Sequence, residues 1–275
     1  MGEGRGEGRF AFAVFRPRRY NAHIAMPVPT PRAEKLAVIT PLANERDTID
    51  EFVRRVCAQL LPHDRLITVF DNVSTDGSVD RARELAQAEP RLHVVFAPEN
   101  RCVVDAYFRG YREALAATDA DWVLEMDGGL SHLPEQIPPF IDAMAQGYDY
   151  AGGSRFMTGG GFDGPWSRYL ISRGGTWLTN LLVGTRMHDM TSGFECFTRK
   201  TLQLVVDEGV QSKAHFFQTE IRTRMHDLKW VEIPIRYNSP SSSVGKASLS
   251  EAFRLLWQLR QRRRRESAAR KEVAS

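Results

Sequence analysis

A doubly wound α/β domain is the fold class that this sequence predicts, on three observations. Short β-branched runs alternate with segments of helical period from Lys35 onward. Those runs lack strict polar alternation, as strands of a parallel sheet covered on both faces do. Acidic residues fall where the runs end, and in open α/β sheets ligands bind at the carboxyl ends of the strands, beside a switch in strand order.

Taken in order, 35–42 (KLAVITPL) reads as a strand, and Ile49, Phe52, Val53, Val56 and Leu60 give a helix over 46–61. The unit repeats with a strand at 65–72 and a helix at 78–88, then a strand at 92–97 and a helix at 104–117. A fourth strand, 121–127 (DWVLEMD), runs into a polar turn and a helix over 134–146. The second half is less regular. A strand at 148–155 precedes a loop at 158–165 with four glycines, and a helix follows at 166–182. A segment at 191–197, a helix around 216–227, a strand at 230–237 and a final helix at 249–265 complete the pattern. Residues 1–33, with Gly-Glu-Arg repeats followed by prolines, read as a disordered tail. The domain is expected over 34–247, a basic amphipathic helix over 248–265 and a short tail over 266–275.

Length and composition fit one sizeable domain: 275 residues, 42% hydrophobic and 26% charged, with a net charge of +3. Three widely spaced cysteines suggest neither a disulfide framework nor a zinc site and fit a reducing cytoplasm. No apolar run approaches the roughly 18 residues needed to span a bilayer. Neither a Gly-x-Gly-x-x-Gly turn after the first strand nor a Gly-Lys-Ser/Thr phosphate loop is present, which argues against a nicotinamide dehydrogenase or a P-loop enzyme.

Asn44 and Glu45 follow the first strand, Asp71 ends the second and Asp127 ends the fourth. A carboxylate there can accept hydrogen bonds from a base or ribose, or hold a hard divalent cation. Each alone can equally cap the next helix. Three at one sheet edge favour a binding site.

Pro41-Leu42-Ala43-Asn44-Glu45 resembles the Pro-x-x-Asn-Glu opening of inverting GT-A glycosyltransferases of family 2, and 71–78 (DNVSTDGS) resembles their Asp-Asp-x-Ser-x-Asp-Gly-Thr segment. Residues 126–132 (MDGGLSH) resemble the Met-Asp-Ala-Asp-Leu-Ser-His of dolichol-phosphate mannosyltransferases. Gly153-Ser154-Arg155, the glycines at 159–161, Arg168, Ser172, Asn180 and 189–194 (DMTSGF) follow in the same order, as do Phe217-Gln218, Glu220 and 232–235 (EIPI). The similarity covers about residues 35–250. It implies a GT-A fold with a Rossmann-like nucleotide-binding half and an irregular acceptor half. It also implies a nucleoside-diphosphate sugar donor and a lipid-phosphate acceptor, as in polyprenol-phosphate sugar synthases. Carried over, Pro41, Ala43 and Glu45 line the nucleotide pocket, Asp71 lies near the base or ribose, and Asp127 meets the diphosphate and its Mg²⁺ or Mn²⁺. Arg155 and Arg168 are expected to pair with phosphates, since a guanidinium matches them bidentately.

Three positions depart from that pattern. Gly129 replaces the second acid of Asp-x-Asp, so metal binding leans on Asp127 with Ser131, His132, water and the diphosphate. Cys102-Val103-Val104 replaces a Gly-Leu-Gly before Ala106-Tyr107. The late loop at 239–246 lacks the usual arginine and offers Lys246 as its positive charge. A phosphate acceptor needs no protein base, whereas a hydroxyl acceptor does. Asp189 is the candidate for that role or, equally, a carboxylate that orders the Thr191-Ser192 turn. His132 and His188 are expected as polar surface or supporting residues. The final helix, with Leu249, Phe253, Leu256, Trp257 and an arginine run, fits either an anionic membrane surface or a face packed on the domain. Nucleic acid is not an expected partner, because the positive charge is confined to one tail. The expectation is a cytoplasmic enzyme, peripheral on the inner face of the membrane. Transfer to a saccharide hydroxyl, or a degenerate member that only binds a nucleotide sugar, are the alternatives that Gly129 keeps open.

Overall fold

The computed structural model describes residues 29–238 and 252–264. Its centre is a seven-stranded sheet in which β1 (Leu36–Pro41), β2 (Arg65–Phe70), β3 (Leu92–Phe96) and β4 (Trp122–Glu125) run parallel in the order β3-β2-β1-β4. The chain walks outward from β1 to β3 and then crosses back to set β4 on the other side of β1. The switch in strand order therefore lies between β1 and β4, where a ligand crevice opens in such sheets.

Period-two burial accounts for these strands. In β1, Leu36 and Val38 face one apolar layer with Phe52, Val56 and Phe140, while Ala37 and Ile39 face the other with Tyr107, Tyr111 and Phe217. The first layer is built by α1 (Ile49–Cys57), α2 (Ser78–Ala88) and α4 (Ile137–Ala145), the last entered through a 3₁₀ turn at Pro134–Gln136. The second is built by α3 (Val103–Ala117), α6 (Arg199–Glu208) and α7 (Phe216–Met225). Each Leu, Ile or Phe fully buried between them contributes about 1.5–3 kcal/mol.

The second half adds β5 (Tyr150–Ser154), β7 (Glu195–Thr198) and β8 (Trp230–Pro234), giving the order β4-β7-β5-β8. β7 runs antiparallel to both neighbours, so the sheet is mixed, though mainly parallel. The segment 158–165 is not all loop, because Gly161–Asp163 forms β6 and pairs with β9 (Arg236–Asn238). The single strand expected at 230–237 is thus two, in different sheets. Pro234, which has no N–H to donate, stands at the break. Arg32, expected in the tail, is a half-buried partner of buried Asp64, with Nη1 donating at 3.0 Å and Nη2 at 2.5 Å.

Between β6 and β7 lies α5 (Trp166–Val183), and residues 252–264 form a further helix, α8. Leu256 and Leu259 of α8 pack with Leu178, Leu182 and Val183 of α5. Among the described residues, no helix is long and apolar enough to cross a membrane. Residues 1–28, the late loop at 239–246 with Lys246, Leu249, Arg265 at the end of the arginine run and the tail at 266–275 lie outside the described residues.

Candidate active site

Asp127, two residues past the end of β4, is held by three groups from three segments. Tyr107 of α3 donates its hydroxyl to Oδ1 at 2.6 Å, and Tyr237 of β9 donates to Oδ2 at 3.2 Å. The Asp127 N–H donates to His132 Nδ1 at 2.9 Å. A Cβ at Gly193 would stand 3.4 Å from Asp127 Oδ1 and 1.8 Å from Gln218 Nε2, so the 189–194 segment and α7 reach the same place. Burial first, and then the Asp127 charge, push the Tyr107 phenol well above its usual range and Tyr237 up to about 12. Both therefore remain protonated donors at neutral pH.

His132 is not a surface residue. It is buried, with its ring between Phe194 and Tyr237 at centroid distances of 4.8 and 4.9 Å. Burial lowers its pKa to about 4 against the opposing pull of Asp127. A neutral ring that accepts at Nδ1 carries its proton on Nε2, so the 3.9 Å approach to the carboxylate is no ion pair. His132 orients Asp127 through the backbone.

The β1–α1 and β2–α2 loops lock together beside this carboxylate. Asn44 adopts φ +58°, donates from Nδ2 to Val73 O at 3.0 Å and accepts from the Thr75 N–H at 3.0 Å. The Glu45 N–H donates to Ser78 Oγ at 2.8 Å, and Ser78 donates in turn to Asp76. The Glu45 carboxylate accepts the Thr48 hydroxyl and lies against Gly129, whose Cβ would stand 2.5 Å from Oε1 and 2.8 Å from Oε2. Pro41 ends β1, and Ala43 is exposed in the loop that follows. Asp71 follows β2 and accepts the Val73 N–H at 2.9 Å, closing its own turn.

Arg155 and Asp189 form a bidentate pair in the interior. Nε donates to Oδ2 at 2.7 Å and Nη2 to Oδ1 at 2.9 Å, with Thr191 Oγ1 a further acceptor at 2.5 Å. Burial alone would raise the Asp189 pKa, but the Arg155 charge and hydrogen bonds prevail and hold it well below the carboxylate range. Its backbone N–H donates to Glu232 Oε1 at 2.9 Å, and it accepts the Thr191 N–H at 3.0 Å. Of the two roles open to Asp189, this geometry supports the one that orders the 191–192 turn. The Arg155 guanidinium also lies over the rings of Phe156, Phe162 and Tyr237 at 5.0, 5.9 and 5.5 Å. Arg168, on α5, is close enough to Tyr237 for its charge to oppose the rise in that phenol's pKa.

These residues bring together Asp127, Glu45 and Ser131 near the switch point, with Arg155, Asp189 and Arg168 behind Tyr237. Tyr107, Tyr237, Glu232 and Gln218 were not among the sequence-predicted site residues, although Tyr107 follows the altered Gly-Leu-Gly segment and Gln218 and Glu232 stand in segments that carry the resemblance. Among the described residues, no group of three His, Cys, Asp or Glu side chains is arranged to hold a metal. The donors present are hard oxygens in a cradle at Gly129, and such a set fits Mg²⁺ or Mn²⁺ that keeps water and diphosphate oxygens as its remaining ligands. A cavity of about 290 Å³ lined by Lys35, His63, Arg65 and Asp119 lies at the other end of the sheet, where the strands begin.

Residues 37–205 match the model of glycosyl transferase family 2. The chain is 33% identical over 222 residues to polyprenol monophosphomannose synthase of Mycolicibacterium smegmatis, covering 78% of this chain and 82% of that one. It is 30% identical to undecaprenyl-phosphate mannosyltransferase of Micrococcus luteus, with coverage of 74% and 83%. Among solved structures it resembles glucosyl-3-phosphoglycerate synthase of Mycobacterium tuberculosis in complex with Mn²⁺, UDP and glucosyl-3-phosphoglycerate. The TM-score is 0.58 at 17% identity, over 84% of this chain and 80% of that one.

Proposed function

The chain belongs to glycosyl transferase family 2 and is a glycosyltransferase of the GT-A fold, and from that premise we propose that it moves a hexose, specifically mannose, from a nucleoside-diphosphate sugar to a polyprenyl phosphate. The observation that carries the lipid acceptor is the outer face of α5. Trp166, Leu170, Trp177 and Leu181 are all exposed on it, and at 100° per residue they fall within about 60° of its circumference. A polar acceptor gives no reason for such a stripe on the helix that brings Arg168 toward Tyr237. An acceptor held in a bilayer does, because the stripe and the neighbouring Phe253 and Trp257 of α8 can seat in the lipid interface. The relatives named for polyprenol and undecaprenyl phosphate support the same acceptor class.

In this reading an anionic oxygen of the acceptor phosphate forms the bond to the anomeric carbon. The bond from that carbon to the donor diphosphate breaks, and its electrons leave with the diphosphate. The acceptor is already ionised, so no protein base is needed, and attack opposite the leaving group inverts the centre. Asp127, with Ser131, holds the divalent cation, which neutralises charge developing on the diphosphate when bound. Pro41, Ala43 and Asp71 line the nucleotide. Arg168 and Lys246 are the cations assigned to phosphate. Arg155 and Asp189 position Tyr237 and the Thr191 turn. The enzyme works as a peripheral protein on the cytoplasmic face of an anionic membrane.

The test uses vesicles containing polyprenyl phosphate, Mg²⁺ and radiolabelled nucleoside-diphosphate mannose. Label should move to the organic phase, in a product whose anomeric configuration is opposite to the donor's. Label that enters only a water-soluble saccharide overturns the lipid acceptor, and preference for a glucose donor overturns mannose.

A further inference from the structure

We infer that Glu45 supplies the second carboxylate of the diphosphate-metal site, in place of the side chain that Gly129 lacks. The inference rests on the nucleoside-diphosphate donor proposed above and assigns Glu45 to the metal end of that ligand, not to the base. Its ground is where the Glu45 carboxylate lies. A Cβ at Gly129 would stand 2.5 Å from Oε1, 2.8 Å from Oε2 and 2.9 Å from Cδ. By standard bond lengths and angles, the carboxylate oxygens of an aspartate stand about 2.4 Å from its Cβ. The Glu45 oxygens thus occupy the shell that an aspartate at 129 would fill with its own, two residues along the chain from Asp127.

The local backbone is built to hold that arrangement. Gly129 has φ +63°, and Leu130 follows at φ +62°, so the turn after β4 coils back toward the β1–α1 loop. At Gly128 a Cβ would lie 2.1 Å from Leu42 Cδ2, so the two loops meet in direct contact. On the other side, the Ser78 hydroxyl fixes the Glu45 backbone and the Thr48 hydroxyl steadies its carboxylate. With Glu45 and Gly129 placed as they are in this chain, an aspartate at 129 would press its carboxylate onto that of Glu45, so relatives that carry both acids must direct the first one elsewhere. One carboxylate delivered from the neighbouring loop gives the same hard-oxygen chemistry as one delivered from the turn.

The positions are therefore expected to behave as alternatives, which a variant series can read with Mn²⁺ as the probe. Free Mn²⁺ is followed by electron paramagnetic resonance as protein and nucleoside diphosphate are added, and nucleotide binding is measured separately in EDTA. Glu45→Gln should weaken Mn²⁺ binding in the ternary complex by about tenfold or more while changing metal-free nucleotide binding by less than about twofold. Gly129→Asp should lose Mn²⁺ at least as severely, and Glu45→Ala combined with Gly129→Asp should recover affinity to within about threefold of the parent. Glu45→Gln is close in shape to the parent and keeps the test decisive if Gly129→Asp fails to fold. Unchanged Mn²⁺ affinity in Glu45→Gln overturns the inference, as does equal loss of metal-free nucleotide binding, which returns Glu45 to the nucleotide pocket. A parent that binds nucleotide with no Mn²⁺ dependence overturns the metal assignment but not the donor. A parent that binds no nucleoside diphosphate overturns the proposed donor itself, and the inference with it.

Discussion

Tyr237 donates its hydroxyl to Asp127 Oδ2 at 3.2 Å, and the same ring lies 5.5 Å from the Arg155 guanidinium. One side chain therefore joins the carboxylate at the end of β4 to the buried pair that shapes the 189–194 segment. Tyr107 holds the other carboxylate oxygen at 2.6 Å from the opposite side. Two neutral donors fix the direction in which Asp127 presents its charge.

Loss of either hydroxyl should loosen that direction without removing the charge. A hydrogen bond to a charged group is worth about 1.5–3 kcal/mol. Tyr107→Phe and Tyr237→Phe should each lower kcat/KM by about tenfold or more, while Asp127→Ala should abolish transfer. If both phenylalanine variants keep full kcat/KM while Asp127→Ala is dead, the hydroxyls are bystanders.

Much of this was legible from the chain, and the exceptions have physical reasons. The strands β1 to β4 are short apolar runs between helices, and a carboxylate at a strand end is visible wherever a strand is. Hence Asp127, Asp71 and Glu45 could be placed just past the ends of strands, where the structure has them. The segment 191–197 overlaps β7, but the strand's bounds and antiparallel direction were hidden because half of its four residues are polar, with buried Glu195 as one of them. The helix α6 went unseen because it follows that strand without a break and opens on Arg199 and Lys200. Tyr107 and Tyr237 look like core residues in sequence, and only the fold aims their hydroxyls at one carboxylate. Arg155 was expected at a phosphate because the flanking pattern favours that. Asp189, 34 residues away in sequence, engages it instead.

The Arg155–Asp189 pair yields a stability prediction. Removal of one member of a buried ion pair typically costs about 3–5 kcal/mol, because the other charge stays buried and uncompensated. Asp189→Asn should unfold at markedly lower denaturant than the parent. Since the folded pKa of Asp189 is depressed, its contribution is complete above the unfolded value near pH 4 and is lost as pH falls toward the folded value. Chemical denaturation from pH 7 down to pH 3 should show the gap between parent and variant narrowing only below about pH 4. A gap that is already constant down to pH 3 leaves the pair without the proton linkage assigned to it.

Glu125 and Glu195 titrate in the opposite sense. They face each other across the β4–β7 ladder, both fully buried, with Tyr111 donating to Glu125 and Arg222 donating to Glu195 at 2.6 Å. Burial, above all, raises both, Glu195 to about 7. The folded protein thus retains a proton that the unfolded chain releases near pH 4.5, and stability falls as pH rises from about 4.5 to 7. Glu125→Gln removes one of the two like charges and leaves an amide to bridge them. Its Tm should exceed the parent's by about 2–4 °C at pH 8, a gain of about 1 kcal/mol, and should match it at pH 5. Equal Tm values at both pH values would mean that the pair is not sharing a proton.

The docking of α8 decides how membrane attachment should be tested. Deleting residues 260–275 would remove charge from the surface, but it would also break contacts within the domain. Arg263 donates to Asp227 at 2.8 Å, and the cut would fall directly after Leu255, Leu256 and Leu259, which are buried and dock the helix. The exposed aromatics are the cleaner target. Trp166, Trp177 and Trp257 are 68%, 66% and 53% exposed, so serine at these positions should leave folding intact. Burying such a ring in the interface contributes on the order of 1–2 kcal/mol, whereas each arginine near an anionic leaflet adds about 1 kcal/mol that salt screens. The triple serine variant should therefore lose at least about tenfold in partition onto anionic vesicles, with the residue of binding abolished by high salt. The parent should keep a part of its binding at high salt, because the apolar face does not depend on charge. Transfer to long-chain polyprenyl phosphate should fall with vesicle binding, and turnover of a short, soluble acceptor should not. Co-sedimentation at low and high salt, paired with both assays, makes the measurement. If the variant sediments like the parent, or loses both activities equally, the apolar face of α5 and α8 does not seat in a membrane.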